Sequence, residues 1–273
     1  MDTSPETTGR TALVTGATGA IGRALATGLA ARGYAVVVLS RDPGRGAATA
    51  ETIRQSTGNA RVRHEQVDVS RRASVEALAR RWRGPVEVLI NNAALAPHIR
   101  RETPEGIELQ FATNVLGYLW LTLAFEPWLA RGAGARVVNV ASYWAGGLDL
   151  SDLEFRRRRY DNDAAYRQSK QADRMLTVAL ARRLAPLGIT VNACHPGDVN
   201  STLSNDLGFG GHESPEEGAR TPLWLAIAEP GGLGDRALLR ALSRAVLPLR
   251  LRHRCRGGPV RGLPGLSLTG FAT

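Results

Sequence analysis

The segment Arg10-Thr-Ala-Leu-Val-Thr-Gly16-Ala-Thr-Gly-Ala-Ile-Gly22 decides the fold, because it joins a short apolar run directly to a glycine-rich turn. Apolar residues then recur at helical spacing at Ala24, Leu25, Leu29 and Ala30. A strand, a glycine turn and a helix in this order are the context that a dinucleotide-binding turn requires. The glycines let the backbone approach a pyrophosphate, and the helix N-terminus offers free N–H groups. The alternative interpretation is an ordinary tight turn.

Five further runs that are typical of strands follow, most of them apolar, and helical patterns separate them. The runs cover residues 35–39, 61–67, 86–90, 135–140 and 189–194. Helices are predicted over residues 46–56, 73–82 and 105–131, and a further helix carries Tyr166. This alternation predicts the α/β class, with a doubly wound parallel sheet. We expect one domain over residues 10–230, a flexible N-terminus over 1–9, and an atypical Arg/Gly/Pro-rich tail over 231–273.

The basic charge of the chain belongs mainly to that tail. The net charge is +10, and residues 231–273 contribute eight Arg against one acid, which is +7. The remainder carries 27 Lys and Arg against 24 acids, so it gives no indication of a nucleic-acid-binding surface. Cys194 and Cys255 form neither a disulfide framework nor a zinc site, and no metal is expected. No apolar run approaches the roughly 18 residues of a membrane span, and the polar N-terminus lacks a secretion signal, which favours the cytoplasm.

A second informative stretch is Tyr166-Arg-Gln-Ser-Lys170, which lies within a helical pattern. Asp161, Asn162 and Asp163 are candidates for the residue that caps this helix. Tyr166 and Lys170 are four residues apart, so their side chains share one helix face. An ammonium close to a phenol lowers the pKa of the phenol, and such a tyrosine is a workable general acid or base.

The rarity of lysine supports a special role for this pair. Lys170 is the only lysine of a chain that is otherwise rich in arginine. A single lysine in such a chain indicates a site that needs a compact ammonium group. The alternative is an exposed tyrosine beside a solvated lysine, which occurs by chance in many helices.

The residue after the second predicted strand bears on the choice of dinucleotide. Folds that bind NAD usually carry an acid there, about 20 residues after the glycine turn, to hold the ribose hydroxyls. This chain has Arg41 at that place. A guanidinium suits a 2′-phosphate, so NADP is favoured over NAD, and Arg23 could assist. The alternative is an arginine exposed at a strand end.

Together these motifs resemble the short-chain dehydrogenase/reductase family, whose members have a Rossmann fold. The matching residues are the glycine turn 16–22, Asp68-Val69, Asn91-Asn92-Ala93-Ala94, Asn114, Ser142, Tyr166-x-x-x-Lys170 and Pro196-Gly197. They stand in the order and at the spacing of the family, over roughly residues 10 to 230. The sequences around Ser142, Tyr166 and Pro196 are similar to the branch that contains the retinol dehydrogenases.

The resemblance implies a role for each of four catalytic residues. Tyr166 would exchange a proton with the substrate oxygen, and Lys170 would lower the pKa of Tyr166 and hold the nicotinamide ribose. Ser142 would hydrogen-bond the substrate oxygen. Asn114 would hold a water that links Lys170 to solvent.

The resemblance also implies a set of cofactor-binding residues and an activity. The cofactor set is Gly16, Thr18, Gly19, Ile21, Gly22, Arg41, Asp68, Val69, Asn91, Asn92, Ala93, Tyr166, Lys170, Pro196 and Gly197. The activity is that of an NADP-dependent oxidoreductase, which transfers hydride between the nicotinamide and the alcohol or carbonyl carbon of a lipophilic substrate. A homodimer or homotetramer is compatible with the resemblance, as are retinoids, steroids and polyketide ketones as substrates.

Two other functions remain open at this point. The first is a non-catalytic or decayed NAD(P)-binding protein. The second is a sugar-nucleotide epimerase, because the spacing Gly16-x-x-Gly19-x-x-Gly22 resembles that of the larger epimerases and dehydratases. The pair Asn91-Asn92 argues for the short-chain family instead.

The tail departs from the branch, whose members continue into a Gly-x-Tyr-Phe strand. Our hypothesis is a frameshifted end. The residues Arg236-Ala-Leu-Leu-Arg240 could be encoded CGG GCA CTA CTT CGC, which gives Gly-His-Tyr-Phe when read one base later. The codons of the gene test this, and a gene without Gly-x-Tyr-Phe in either alternative frame excludes it. If the hypothesis holds, we expect a poorly ordered tail, an uncovered sheet edge and impaired activity.

Overall fold

A computed structural model describes residues 9–228 of the chain, and its centre is a sheet of six parallel strands. The strands are β1 (Thr11–Thr15), β2 (Ala35–Ser40), β3 (Val62–Gln66), β4 (Val88–Asn91), β5 (Arg136–Val140) and β6 (Thr190–Cys194). Their order across the sheet is β3-β2-β1-β4-β5-β6, and every pairing is parallel. The predicted doubly wound parallel sheet is therefore confirmed. The order reverses between β1 and β4, where α/β sheets bind their ligands.

Helices cover both faces of this sheet. They are α1 (Ala20–Ala30), α2 (Pro43–Thr57), α3 (Arg72–Arg81), α4 (Leu109–Phe111), α5 (Gly117–Ala124), α6 (Glu126–Leu129), α7 (Asn162–Leu184), α8 (Thr202–Asp206) and α9 (Pro215–Ile227). On one face Leu25, Leu29, Ile53 and Leu225 pack on the strands, and on the other face Leu78, Leu121, Phe125, Leu180 and Leu184 do so. Because helices cover both faces, the inner strands are mostly apolar rather than alternating, whereas the edge strand β3 is mostly polar.

The prediction of one continuous helix over residues 105–131 is wrong in two respects: the helix starts later, and it is interrupted. Gly106 has a φ of +76° in a turn, and the Glu108 carboxylate accepts from the backbone N–H groups of Gln110 and Phe111. The helix therefore begins at Leu109, where that acid satisfies its first free donors. It widens to a π-helical turn at Ala112–Leu116 and is interrupted at Phe125, before Pro127.

Helix α7 carries the Tyr166–Lys170 pair and begins as the sequence predicted. Asp161 is its cap and accepts a hydrogen bond from the Ala164 N–H at 2.8 Å. The buried residues of the helix recur every three or four positions, which is the pattern of one face packed on the sheet. They include Tyr166, Ser169, Lys170, Asp173, Thr177, Leu180 and Leu184.

The predictions about the two ends of the chain lie outside the described residues. These are the flexible N-terminus, the atypical tail and the frameshift hypothesis with its missing strand. Within residues 9–228 the last element is α9, which packs against α1. Its Leu223 is so close to α1 that a Cβ atom on Gly28 would be 2.6 Å from a Leu223 methyl carbon.

Candidate active site

A cleft of about 440 Å³ opens at the carboxyl ends of the strands. The glycine turn, the ends of β2, β4 and β5, and helices α7 and α8 surround it. Most residues of the predicted cofactor set line this cleft, namely Gly16, Thr18, Gly19, Ile21, Gly22, Arg41, Asp68, Val69, Asn92, Ala93, Tyr166, Lys170 and Pro196. Residues far apart in the chain thus meet at one sheet edge, as strand ends do in parallel sheets.

The geometry of the glycine turn fits a dinucleotide. Gly16 has a φ of +63°, and a Cβ atom there would be 2.8 Å from the Ala93 Cα. A Cβ atom on Gly22 would be 2.2 Å from the Gly16 carbonyl oxygen, so α1 starts tightly against the turn. No side chain caps α1 at Gly19. The first N–H groups of α1 are therefore available to a pyrophosphate, and the turn leaves backbone exposed to it.

Two arginines lie at the far end of the cleft. Arg41 and Arg45 both line it and are exposed, one at the end of β2 and one in the first turn of α2. Asp42, between them, caps α2 by accepting from the Arg45 N–H at 2.9 Å. One oxygen of Asp68, on the neighbouring strand end, accepts from the Ser70 N–H and hydroxyl. These residues could hold the adenosine part of a dinucleotide and a phosphate on its ribose.

The opposite end of the cleft holds Tyr166. Tyr166 is 8 % exposed, and the hydroxyl of Ser142, which follows β5, is close enough to its phenol to lower the pKa. The Ser142 oxygen also accepts from the Trp144 N–H at 3.1 Å. The alternative of an exposed tyrosine and a solvated lysine is wrong, because Lys170 is 1 % exposed. Tyr166 therefore lines the cleft, with the Ser142 hydroxyl beside it.

The pKa of Tyr166 differs from the sequence-based expectation. Burial raises the pKa of the phenol to about 12, the Ser142 hydrogen bond lowers it by less, and the Asp173 carboxylate raises it further. We expected Lys170 to lower this pKa. The correction has a physical cause, because the Lys170 Nζ atom is 5.9 Å from the Tyr166 ring centroid and binds other groups.

Those other groups are buried acceptors. The Lys170 ammonium donates to the Val140 carbonyl at 2.8 Å, to Asp173 Oδ2 at 3.0 Å and to the Tyr118 hydroxyl at 3.4 Å. Asp173 is 0 % exposed. Burial raises the pKa of Asp173 to about 7, although Lys170 lowers it. The ammonium thus already has three partners, one of which carries a compensating charge.

Asn114 lies in the π-helical turn with its side chain buried. Its Oδ1 atom accepts from the Leu95 N–H at 3.0 Å, and its Nδ2 atom donates to the Leu95 carbonyl and to Ser169 Oγ, both at 3.1 Å. The amide therefore ties the segment after β4 to α7. It positions the helix that carries Tyr166, and both Nδ2 protons are used in doing so.

Two members of the predicted cofactor set do not line the cleft. The Asn91 amide lies inside the sheet, where it donates to Thr122 Oγ1 at 3.1 Å and to Asn139 Oδ1 at 2.8 Å. The prediction that the Asn91 side chain contacts the cofactor is therefore corrected, because the strand directs this side chain into the core. Gly197 lies behind Pro196 with a φ of +96°, and its N–H donates to His195 Nδ1 at 3.0 Å.

Several site residues were not identified from the sequence. Asp173 is three positions after Lys170, and that spacing was the available signal. Ser201, Thr202 and Leu203 at the start of α8 also line the cleft, and no spacing indicated them. An aromatic cluster follows Ser142, in which the ring centroids of Tyr143 and Trp144 are 5.8 Å apart and those of Trp144 and Phe209 are 4.6 Å apart.

Two other features concern metal binding and membrane crossing in the described part of the chain. Among residues 9–228, no group of three His, Cys, Asp or Glu side chains could hold a metal ion. None of the helices in that range combines the length and apolar composition that crossing a membrane requires.

A dinucleotide turn and a tyrosine in one cleft, with a serine hydroxyl beside that tyrosine, are typical of nicotinamide-dependent oxidoreductases. The model of the short chain dehydrogenase family matches residues 10–208. The chain belongs to the short-chain dehydrogenase/reductase family. Its predicted membership and its enzyme class are thereby confirmed.

The relatives include retinol dehydrogenases, as the sequence predicted. Retinol dehydrogenase 13 of Mus musculus is 36 % identical over 81 % of this chain and 72 % of its own length. A probable oxidoreductase of Streptomyces antibioticus is 38 % identical over 81 % of both chains. Among solved structures, the Pseudomonas aeruginosa RhlG/NADP active-site complex is 26 % identical, covers 83 % of this chain and 92 % of that one, and has a TM-score of 0.67.

Proposed function

We propose that this oxidoreductase uses NADP and reduces the carbonyl group of a lipophilic substrate, with Tyr166 as the proton donor. The observation that carries the proposal is the position of Tyr166 in the cleft that the glycine turn also lines, with the Ser142 hydroxyl close enough to lower the pKa of its phenol. A bound nicotinamide would supply or accept the hydride. The residues of the chain would bind the coenzyme, orient the substrate oxygen and move the proton.

The protonation state of Tyr166 favours the direction of reduction. A phenol whose pKa is raised to about 12 keeps its proton at neutral pH. It is then a general acid, which donates its proton to a carbonyl oxygen as that oxygen gains negative charge. The Ser142 hydroxyl is a second donor to the same oxygen, and such donors stabilise the developing charge. Oxidation of an alcohol needs the phenolate and is therefore favoured at high pH.

The choice of NADP rests on the two arginines at the far end of the cleft. Arg41 and Arg45 both line it, and a guanidinium forms charge-assisted, bidentate hydrogen bonds with a phosphate. No such gain is available from the bare ribose of NAD. The RhlG/NADP complex supports the choice only as a related protein that binds NADP.

A lipophilic substrate is supported by the aromatic cluster beside Ser142. Tyr143 is 46 % exposed and Phe209 is 38 % exposed, so both present apolar surface close to the reacting groups. Relatives named as retinol and polyprenol dehydrogenases act on apolar alcohols. The identity of the substrate stays a prediction at the level of this class.

Other expectations from the sequence also stay predictions. These are the division of the chain at residues 10 and 230, the homodimer or homotetramer, and the cytoplasmic location. The water that Asn114 would hold beside Lys170 belongs with them.

The variant Tyr166→Phe tests the function. It removes the proton donor and keeps the ring, so we expect turnover to fall by roughly 10²- to 10⁴-fold. NADPH binding should change little, since the rest of the cleft is intact. Turnover is measured as NADPH oxidation with a panel of apolar aldehydes and ketones, and binding as NADPH fluorescence.

Tyr160→Phe is the matched control. Tyr160 is a second partly buried phenol, which donates to the Pro97 carbonyl and bonds Gln110, away from Ser142. We expect it to keep turnover. Equal turnover of Tyr166→Phe and the wild type would remove Tyr166 from the proposal. Tight NADPH binding without turnover of any substrate in the wild type would favour the non-catalytic alternative.

The variant Arg41→Ala tests the coenzyme. A hydrogen bond to a charged group contributes roughly 1.5–3 kcal/mol, so KM for NADPH should rise about 10- to 100-fold. KM for NADH should stay the same, because NADH has no 2′-phosphate. Arg32→Ala, an arginine that donates to the Gly28 carbonyl, is the control. An equal effect of Arg41→Ala on both coenzymes would overturn the assignment.

A further inference from the structure

Helix α7 contains a buried acid beside Lys170 that the proposed reaction does not use. Asp173 is on α7, one turn after Lys170, and is 0 % exposed. Its Oδ2 atom accepts from the Lys170 ammonium at 3.0 Å. Its Oδ1 atom is buried and has no hydrogen-bond partner among residues 9–228. Burying a carboxylate with a single donor costs free energy. This cost indicates that the acid has a role at this position.

The contacts of Lys170 show what the acid does to it. The ammonium is directed to the Val140 carbonyl of β5 and to Asp173, and its Nζ atom is closer to the Tyr118 ring centroid, at 5.0 Å, than to that of Tyr166, at 5.9 Å. A positive charge paired with a buried carboxylate has a weaker field at a third group than an unpaired one. The influence of Lys170 on Tyr166 is therefore reduced by Asp173.

The charged and titratable groups around this pair come from several elements. On α7 itself they are Lys170 and Tyr166, and on α5 the group is Tyr118. Cys194 of β6 faces Tyr118, and burial raises the pKa of its thiol to about 12, so it is neutral. Asp173 is thus the acid that acts on both phenols, and its charge raises the pKa of each of them.

The polar neighbours of Asp173 keep its backbone fixed. Thr177 Oγ1 donates to the Asp173 carbonyl at 2.7 Å, and Asn139 Nδ2 of β5 donates to Thr177 Oγ1 at 2.8 Å. Asn139 in turn accepts from Asn91 of β4. This chain of buried hydrogen bonds joins α7 to β5 and β4 and so holds the helix backbone at Asp173 in place.

We propose that Asp173 is a positioning residue, whose buried carboxylate holds the Lys170 ammonium at the Val140 carbonyl and opposes the phenolate form of Tyr166. The acid thereby keeps Tyr166 protonated and favours carbonyl reduction over alcohol oxidation near neutral pH. This inference rests on the proposed function of Tyr166. It assigns a role to a residue beyond the Ser–Tyr–Lys–Asn set.

The variant Asp173→Asn tests the proposal with nearly the same shape and one negative charge fewer. We expect the pH at which kcat/KM for alcohol oxidation is half-maximal to fall by about one unit, because a like charge near Tyr166 is removed. The ratio of oxidation to reduction at pH 8 should rise accordingly. If Asp173 only packed against its neighbours, the pH of half-maximal kcat/KM would be the same in the variant and the wild type.

Asp163→Asn is the matched control, since Asp163 is an acid on the same helix that also raises the pKa of Tyr166. Its side chain is 47 % exposed and lies 3.9 Å from Arg167, so solvent screens its charge. We expect a shift clearly smaller than that of Asp173→Asn. Equal shifts for the two variants would overturn the proposal.

A titration without substrate separates this proposal from the proposed function. The ultraviolet absorbance of tyrosinate is followed against pH in the wild type and in Asp173→Asn, each with and without Tyr166→Phe. The difference isolates Tyr166, whose titration should move to lower pH in Asp173→Asn. Coincident curves would overturn the role of Asp173, whether or not the enzyme turns over any substrate. Asp173→Ser makes the same comparison if the Asn variant does not fold.

Discussion

Two aspartates with little exposed surface show how differently the same side chain behaves when its donors differ. Asp152, in the loop between β5 and α7, is 6 % exposed, and Asp173 is 0 % exposed. The Asp152 carboxylate accepts from the backbone N–H groups of Arg156, Arg157 and Arg158 and from Arg158 Nε. Within residues 9–228, the Asp173 carboxylate accepts from Lys170 alone. The difference lies in the number of donors.

The pKa values of the two acids follow that difference. For Asp152, burial acts to raise the pKa, but the backbone donors outweigh it and lower the pKa to about 2. For Asp173, burial dominates over Lys170 and raises the pKa to about 7. Burial therefore does not fix the charge of an acid, because a carboxylate stays ionised where several N–H groups replace its water. Asp152 in the loop therefore stays ionised at neutral pH, whereas the charge of Asp173 on α7 changes near pH 7.

The arginine run of residues 156–159 has a structural role around Asp152. As sequence it is an ordinary solvated run. In the structure its backbone wraps Asp152, while the Arg158 guanidinium lies over the Phe155 ring at 4.3 Å from the centroid. Phe155 is in the left-handed region with a φ of 51°, which a side chain other than glycine rarely adopts. The run thus shapes the loop between Ser142 and Tyr166.

The largest effect that this comparison predicts is that of Lys170→Met. The variant removes the one donor to Asp173 in the described part of the chain and leaves a buried acid without compensation, which typically costs about 3–5 kcal/mol of unfolding free energy. We expect this loss at pH 8 and a much smaller one at pH 5, where Asp173 is protonated. Denaturant unfolding at the two pH values measures it. Equal losses at both values would show that the charge of Asp173 is unimportant.

Arg158→Met is the matched change in the other region, and it should do far less. It removes one side-chain donor from Asp152, while the three backbone N–H groups remain. Exposed ion pairs contribute little, typically below about 1 kcal/mol, and Arg158 is 38 % exposed in its side chain. A loss as large as that of Lys170→Met would contradict the account in which the number of donors decides.

The pH dependence of stability sharpens the comparison with a smaller effect. The folded pKa of Asp173 is raised from 3.8 to about 7, so between these values the folded chain binds the proton more tightly than the unfolded chain. The contribution of Asp173 to stability is therefore greatest below about pH 4 and falls as pH rises to about 7. Asp152 has the opposite sign, and its contribution is lost as pH falls from about 4 towards about 2.

Asp173→Asn should remove the first of these two dependences. The difference in unfolding free energy between the wild type and Asp173→Asn should change steadily between pH 4 and pH 7, to the disadvantage of the wild type as pH rises. Denaturant unfolding of both proteins across this range measures it. A difference that is constant with pH would show that Asp173 does not titrate there.

Much of this protein could be predicted from local pattern. The apolar runs and the glycine turn determined the parallel sheet and the place of the coenzyme cleft, because strand period and turn chemistry are local properties. The i, i+4 spacing placed Tyr166 and Lys170 on one helix face. The helix over residues 105–131 failed, since the Glu108 cap and the π-helical turn compete with helical periodicity and leave no strong signal.

The electrostatics of the site depended on packing between elements. The sequence by itself determined that a phenol and an ammonium share one face of α7, and it placed an acid one turn further on. Only the tertiary structure decided that this face lies against the Val140 carbonyl and Tyr118, where water is excluded and Asp173 has a single donor among the described residues. The pKa of a group depends on its burial and on the donors around it, and both come from residues far away in the chain.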